Sequence, residues 1–550
     1  MTKKLEDYTR DELIDAIRLL KKRKKFGLVW EDKPEKVVQN CQESLPVLEE
    51  VRAKTIKKTD GPTHLIIEGD NYHSLSALNY THTGKIDLIY IDPPYNTGNQ
   101  DFIYNDTYVD KEDSFRHSKW LSFMGKRLQL AKSLLNKRTG LIFVSIGEDE
   151  YAELKMLMDH VFTEENYIGD AIWQSRRSVS NDTIMSLNHN HTLIFAMDKN
   201  QILALAKKGM MFRIKMDESK FSNPDNDPRG VWTADPFDAP QVRTNLEYEI
   251  TNPNTGQVFL PPNGRHWRTT RTEYERYLAD NRIIFGKTGR SKPQLKRFFS
   301  EVESKGTSIT SMWTDVGTTT NGSNELKAIF GDIPFNNPKP TTLIQRVMEA
   351  GLLSNKGIVL DFFAGSGTTG HAVLKQNMID GGKRQFIICT NNENDVLKNI
   401  TYPRIQKVIE GYGLTSGIPA NVRYFKTEFV SKKKTDDQTR LALVDRCTDM
   451  IRIRENTFES VIDDEKFKLF EGDDHYSAII FDPQKISEFI KKIEDNDKTK
   501  PVSVYIFSYS NYAYDEDIPE TELDYVTCPI PESILEVYKR IFEVEDRLNV

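Results

Sequence analysis

Between residues 63 and 162 short apolar runs alternate with longer stretches of helical periodicity, and this alternation limits the fold more than any other feature. HLIIEGD, KIDLIYIDPPY and GLIFVSI are too short for helices, and the first two contain or end near acidic residues. Runs of this kind, rich in Ile, Leu and Val, suit strands buried on both faces of a parallel sheet. SFRHSKWLSFMGKRLQLAKSLL and EDEYAELKMLMDHVF read as the intervening helices. Strand alternating with helix implies an α/β fold built on a doubly wound sheet.

The alternation stops at about residue 200. From there to about residue 335 the chain reads NPDNDPRGVW, ITNPNTGQVFLPPNGRHWR and SKPQLKRFF, dense in Pro, Gly, Asn, Arg and aromatics. That composition describes a loop-rich module inserted into the sheet protein. Strand–turn–helix logic resumes in GIVLDFFAGSGTTGHAVLK and KRQFIICTNNEND; past about residue 426, HYSAIIFD, VSVYIFSY and SILEVYKRIFEV describe a further α/β domain. The expected division is a helical region over 1–60, half of the sheet domain over 61–200, the insert over 201–335, the other half over 336–425 and the accessory domain over 426–550. Within the first region, Leu13, Ile14, Ile17 and Leu20 lie at helical spacing ahead of a Lys/Arg run, so residues 8–25 read as an amphipathic helix with a basic end.

Composition excludes more than it selects. A net charge of -7 rules out a general polycation, so any nucleic-acid contact must come from a local basic patch. Cys41, Cys389, Cys447 and Cys528 form no C-x-x-C pair, which argues against a disulfide framework or structural zinc; no metal centre is expected. The first 25 residues have no apolar signal-peptide core and no run approaches 18 apolar residues, so a soluble cytoplasmic protein without a membrane span is expected.

Two turns carry the chemistry. Asp361-Phe-Phe-Ala-Gly-Ser-Gly-Thr-Thr-Gly370 follows an apolar strand and opens a helix. Glycines let backbone amides approach a ligand closely, and a helix amino terminus favours negative or electron-rich groups. Taken alone, the turn would serve ATP, a dinucleotide or no ligand at all. It is not the dinucleotide G-x-G-x-x-G, and GKT at 286–288 is no P-loop, because Asn281 stands where its first glycine belongs. The second turn, Asp92-Pro93-Pro94-Tyr95-Asn96-Thr97-Gly98, directly follows KIDLIYI. Two prolines force a rigid extended segment at a strand's carboxyl end, where open α/β sheets place their sites.

Asp-Pro-Pro-Tyr together with a Phe-x-Gly-x-Gly turn resembles the amino-methyltransferases of DNA, and the order of the two motifs resembles their beta class. IDPPYNTGNQDFIYND, NPDNDPRGVW, NNPKPTTLI and DFFAGSGTTGHAV together resemble the modification (Mod) subunit of type III restriction–modification systems, over residues 10–430. The resemblance implies a Rossmann-like methyltransferase sheet with an inserted target-recognition domain. It implies site-specific transfer of a methyl group from S-adenosylmethionine to adenine N6 in double-stranded DNA. Asp92, Pro93, Pro94 and Tyr95 would form the catalytic loop: the Asp92 carboxylate and Pro93 carbonyl accept hydrogen bonds from the base amine, and Tyr95 stacks on the flipped base. Asp at the first position favours adenine, with N4 of cytosine the alternative. Methylation at cytosine C5 needs a cysteine that typically follows proline, and no cysteine here does.

On the cofactor side the resemblance implies Asp361, Phe363, Ala364, Gly365, Ser366, Gly367 and Thr368 in the binding loop, with Lys339 and Pro340 at the methionine end. Asp70 matches either an adenine-ring contact or a helix cap. The ribose contact falls on Glu393, with Asn391 its rival, because the chain reads Thr390-Asn391-Asn392-Glu393 where an acidic residue is expected sooner. Arg243, Arg265, Trp267, Arg268 and Arg271 of the insert are the expected DNA contacts. A homodimer in a prokaryotic cytoplasm, held at the nucleoid through DNA, is implied, and a separate restriction subunit or none. The region past 426, which carries no methyltransferase motif, is expected to serve assembly and to be removable without loss of cofactor binding.

Overall fold

The structure, a computed structural model, describes residues 9, 30–99, 101–181, 183–286, 288–433, 435–494, 500–510, 512 and 514–548. The basic helix expected over 8–25 lies outside them, apart from Thr9. The chain divides into two units, residues 1–203 with 310–550, and residues 204–309.

In the larger unit ten strands form one sheet. They are β1 (Ser44–Glu50), β2 (Thr63–Glu68), β3 (Leu88–Ile91), β4 (Leu141–Ile146), β5 (Tyr167–Gln174), β6 (His189–Ala196), β7 (Met312–Trp313), β8 (Lys356–Asp361), β9 (Lys383–Thr390) and β10 (Asn421–Ser431). Their spatial order is β1-β10-β2-β9-β8-β3-β4-β6-β5-β7. The run from β10 to β4 is parallel, while β6 and the edge strand β1 oppose their neighbours. Every residue of β3 and β4 is buried, as strands covered on both faces must be. α1 (Lys36–Glu43), α2 (Asn71–Thr81), α3 (Arg116–Leu134) and α4 (Tyr151–Phe162) come from the first half of the chain. α5 (Thr319–Phe330), α6 (Thr341–Gly351), α7 (Thr368–Asp380) and α8 (Tyr402–Glu410) come from the second. The doubly wound α/β fold is the one the alternation implies.

Three boundaries differ from expectation. Residues 44–50 lie in the region read as helical, yet they form β1, pairing antiparallel with residues 425–431. A pairing so distant in sequence leaves no local signature. The insert ends earlier than residue 335: Met312–Trp313 pairs with β5 as β7, and α5 belongs to the larger unit. The smaller unit has its own core, in which Phe237, Ile250, Trp267, Tyr274, Ile283 and Phe285 pack together. Its three-stranded sheet buries Lys296 between Trp232–Pro236 and Ile283–Ile284, with the ammonium paired to Asp225 and Asp227.

The third difference concerns the carboxyl-terminal region. Residues 426–431 lie inside β10, between β1 and β2, so a cut at 426 removes half of an interior strand. Beyond it come α9 (Asp436–Arg446), α10 (Thr448–Glu455), α11 (Ile486–Glu494) and α12 (Glu532–Leu548), with a five-stranded sheet. That sheet runs β11 (Glu459–Asp463), β12 (Phe467–Glu471), β13 (Tyr476–Ile480), β14 (Val502–Phe507) and β15 (Tyr525–Ile530). One core of its own lies under α11, where Phe489, Ile490 and Ile493 meet Phe467 and Val504. Leu443, Ile451, Ile534 and Tyr538, however, share a continuous apolar core with Val47 of β1 and Leu78 of α2. At the same seam the buried Glu50 carboxylate accepts from Arg423 at 2.6 Å and Arg452 at 2.9 Å. Burial alone would raise its pKa, and the two guanidinium groups hold it below the usual range instead.

The region past 426 is therefore part of the large unit's core. Ile534 is fully buried there. Ile534→Ala is expected to cost about 2–5 kcal/mol, typical of a buried large-to-small change. The loss should reach β1 and β2: hydrogen exchange must quicken in both. Unchanged protection of β1 and β2 would mean that the carboxyl-terminal region folds independently.

Candidate active site

The site begins with a register. β3 and β8 are adjacent and parallel, with Leu88 opposite Val359 and Ile89 opposite Leu360. The turns that follow them, at Asp92 and Asp361, consequently leave the same edge of the sheet side by side. At the first turn Lys339, itself buried, places its ammonium 2.5 Å from Asp92 Oδ2. The other carboxylate oxygen, Oδ1, is buried and accepts no hydrogen bond of normal geometry from the described residues, although the Tyr95 hydroxyl of the same loop interacts with the carboxylate. A buried acceptor without a well-placed donor is costly, and its presence at a turn of this kind points to a donor supplied by a ligand.

The loop is held from several sides. The Trp120 indole donates to the Pro94 carbonyl at 2.8 Å. Asn190, on β6, donates to the Tyr95 hydroxyl at 2.9 Å. The Tyr95 ring lies against the backbone just past β4; a Cβ on Gly147 would sit 2.8 Å from Tyr95 Cδ2, so only glycine leaves room. Burial, then the Asp92 charge, push the Tyr95 phenol well above its ordinary range, and it stays protonated. Lys339 Nζ also stands 5.2 Å from the centre of that ring.

At the second turn the Asp361 carboxylate is buried and fully engaged. It accepts from Thr369 Oγ1 at 2.5 Å and from the Phe363 amide at 3.0 Å. Burial, reinforced by the Asp92 charge, pushes it up to about 7 despite those bonds. Gly365 and Gly367 have φ of +47° and +78°, a left-handed backbone that other residues adopt only under strain. Ala364 donates to the Cys389 carbonyl at 3.2 Å, and Phe363 packs against Phe362 and Phe123. Pro340 immediately precedes α6 in an extended conformation, and the Lys339 carbonyl accepts from Thr368 at 3.3 Å, which ties that segment to the glycine turn.

Residues that the sequence reading passed over brace both turns. Arg404 is completely buried behind the glycine turn; it donates to the Ser366 carbonyl at 3.3 Å and to Thr368 Oγ1 at 2.8 Å. Burial pulls its pKa down to about 10, opposed by Glu325 at 3.3 Å. Behind the Asp92 loop, Asn96 takes φ of +57° and donates to Glu150 Oε1 at 2.5 Å. His117 Nδ1 stands 2.8 Å from the same oxygen, and burial pushes Glu150 up to about 8. Asn96 directly adjoins the Asp-Pro-Pro-Tyr motif, a hint available in the sequence; Arg404 and Glu150 have no local signal.

Other expected site residues are more dispersed. Asp70 caps α2, accepting from the Tyr72 amide at 2.7 Å, with Arg127 at 3.5 Å. Glu393 is exposed just beyond β9 and accepts from its rival Asn391 at 3.3 Å. In the smaller unit Trp267 is a correction: its indole is fully buried and donates to the Tyr248 carbonyl at 2.8 Å, leaving no face for a base. Arg265 is paired with Asp238, Arg268 lies 3.5 Å from Asp235, and Arg271 lies 3.3 Å from Glu275. Arg243 is exposed.

The Glu150 position has a pH signature. A carboxyl raised from 4.5 to about 8 on folding contributes stability that is present below 4.5 and is lost as pH rises through 8. Glu150→Gln keeps an acceptor for Asn96 without the titration. Its melting temperature is expected to fall less than that of the unaltered chain between pH 6 and 9. Parallel curves would rule out a buried, protonated Glu150.

Comparison with known proteins bears on the same residues. A family model described as DNA methylase matches residues 86–396, which includes both turns. The chain is 34% identical over 393 residues to the StyLTI Mod subunit, a type III restriction-modification enzyme of Salmonella typhimurium, covering 66% of this chain and 58% of that protein. It is 26% identical to the EcoP15I Mod subunit of Escherichia coli (70% of this chain, 68% of that one). It is 29% identical to the type II methyltransferase M.KpnI of Klebsiella pneumoniae (64% and 85%). The chain thus spans less than two thirds of the StyLTI subunit's length. Two solved structures, the M1.HpyAVI–SAM complex (12% identity, 62% and 97% covered, TM-score 0.30) and the cytosine-N4-specific PvuII DNA methyltransferase (11%, 64% and 94%, 0.33), are similar too distantly to carry an argument. With both turns inside a match that takes in more than half of its length, the chain belongs to the DNA methylase family.

Proposed function

We propose that this chain transfers a methyl group from S-adenosylmethionine to the N6 amine of an adenine flipped out of double-stranded DNA, as the modification subunit of a type III restriction–modification system. The observation that carries the reading is the buried Oδ1 of Asp92, without a well-placed donor, on a turn beside the glycine turn. An exocyclic amine is a poor nucleophile because its lone pair is delocalised into the ring. In this reading Asp92 Oδ1 and the Pro93 carbonyl serve as two acceptors that draw its hydrogens away and expose the lone pair. Lys339 occupies Oδ2, so the acceptor role falls to Oδ1. The ring of Tyr95 supplies a stacking face for the extruded base.

The second turn fits S-adenosylmethionine. A Cβ on Gly365 would come 3.1 Å from the Phe335 ring, and its φ of +47° likewise favours glycine there. The amino terminus of α7 suits the carboxylate of the methionine end, with Lys339 and Pro340 close by. Asp361 is the polar group at the floor, and Glu393 or Asn391 and Asp70 stand at the same edge for the ribose and adenine. When bound, the cofactor supplies an electrophilic sulfonium methyl.

Adenine is favoured over cytosine N4 by Asp92, and the Mod subunits among the relatives support the type III assignment. The insert is the target-recognition unit, reading DNA through Arg243, Arg265, Arg268 and Arg271. The chain acts as a homodimer in the cytoplasm, at the nucleoid, with a restriction subunit as partner.

Purified full-length chain, incubated with bacterial genomic DNA and labelled cofactor, is expected to yield N6-methyladenine on nucleoside analysis; N4-methylcytosine would move the target, and no methylated base would overturn the reading. Asp92→Ala should slow transfer by about 10²-fold or more, the scale for losing one preorganised polar contact. Calorimetry should find its cofactor affinity nearly unchanged. Asp361→Ala should reverse the pattern, weakening cofactor binding first.

A further inference from the structure

The turn joining β5 to β6, residues 175–188, reads SRRSVSNDTIMSLN. His191 lies opposite Ile146 on β4, and Gln174 opposite His189 across β5 and β6. The turn therefore leaves the sheet at the edge that carries the Asp92 loop. It is joined to that loop at its root, where Asn190 holds the Tyr95 hydroxyl and accepts from Ser175 Oγ at 3.4 Å. Its own bonds brace it: Arg176 Nη2 donates to the Leu187 carbonyl at 2.7 Å, and the Ser180 amide donates to Ser186 Oγ at 3.0 Å.

Despite this bracing, the turn turns its apolar side chains outward. Ile184 is 109% exposed and Met185 75%, and Val179 and Leu187 are exposed beside them. Arg176 and Arg177 are exposed on the same turn. Scattered single apolar residues on a surface need no explanation, but four on one turn at the rim of a site mark a contact surface. Cations beside protruding Ile and Met suit one occupant above others, a nucleic-acid duplex. Arginines engage phosphates, while Ile and Met are among the side chains that wedge between base steps.

We propose that residues 175–188 enter the DNA beside the target base, with Ile184 and Met185 filling the space the extruded base vacates and Arg176 and Arg177 on flanking phosphates. This rests on the DNA methyltransferase reading. Extrusion sacrifices the stacking and pairing of the base, and an apolar side chain in its place recovers part of the lost contact. The link through Asn190 to Tyr95 couples that wedge to the face on which the extruded base stacks.

The test uses full-length chain and a duplex carrying the sequence that the unaltered chain methylates, mapped by methylation-sensitive sequencing. The duplex is prepared in two forms, fully paired and with the target base mispaired. The double variant Ile184→Ser, Met185→Ser changes only exposed side chains, so folding is not at stake. It is expected to methylate the paired duplex at least about tenfold more slowly, while staying within about threefold of the unaltered chain on the mispaired one, since a mispaired base needs less help to leave the helix. 2-Aminopurine at the target should brighten with the unaltered chain and not with the variant. Unchanged rates on the paired duplex, or equal slowing on both forms, would overturn the wedge. If the sequencing step finds no base methylated by the unaltered chain, the DNA methyltransferase reading itself falls, an outcome separate from loss of the wedge.

Discussion

Leu88 lies opposite Val359 and Ile89 opposite Leu360, and the position of every group at the site follows from that register. Because the two strands are parallel, whatever follows each of them emerges at one edge. Because β3, β4 and the end of β8 are buried, the register has little freedom to slip. The chain between the two turns adds β4, β5, β6 and β7 to the same sheet and, between β6 and β7, builds a second unit. Loop-closure entropy grows only slowly, about 0.6 kcal/mol per doubling of length, so a long insertion costs little once the strands pair. The permuted order of the two motifs is thus physically inexpensive.

Fixing the turns to better than the pleat of a sheet takes buried polar groups. Arg404 reaches a backbone carbonyl of the glycine turn, and Glu150 holds Asn96 just past the Asp92 loop. Each would be costly if unpaired in an apolar interior; Arg404 finds partners through Nη1 and Nη2, and Glu150 through Oε1, while Arg404 Nε and Glu150 Oε2 have none among the described residues. The carboxylates from the two halves of the chain are near enough for Asp92 to raise Asp361, with Lys339 acting in the opposite sense. The halves are therefore electrically coupled at the site as well as hydrogen-bonded through the sheet.

The parts of this arrangement that were legible in the sequence are those with local signatures. Buried parallel strands reveal themselves as continuous apolar runs, and prolines and glycines reveal the two turns. β1 did not, because SLPVLEE carries a proline and two acids and gains its partner from residues 425–431. Trp267 looked like a base contact because an aromatic among arginines has that composition, yet its environment is a small aromatic core. Arg404 and Glu150 are ordinary charged residues on paper. Only burial gives them their roles, and burial is a property of the whole fold. Asp70 fell between the two cases: its position after an apolar strand is legible, but the helix it caps is equally good reason for an aspartate there.

The place of β10 has a consequence for how the protein is made. β1 and β2 leave the ribosome early, but they are not neighbours; the strand between them is β10. Roughly 350 residues separate the end of β2 from that strand, so at about 5–20 residues per second the gap stays open for roughly 20–70 s. Throughout that time β2 presents an unpaired edge, and Val47 of β1 and Leu78 of α2 lack their partners from the carboxyl-terminal helices. Closure of the sheet waits for β10, and a chain interrupted before it carries an open apolar edge of the kind that chaperones hold and proteases clear.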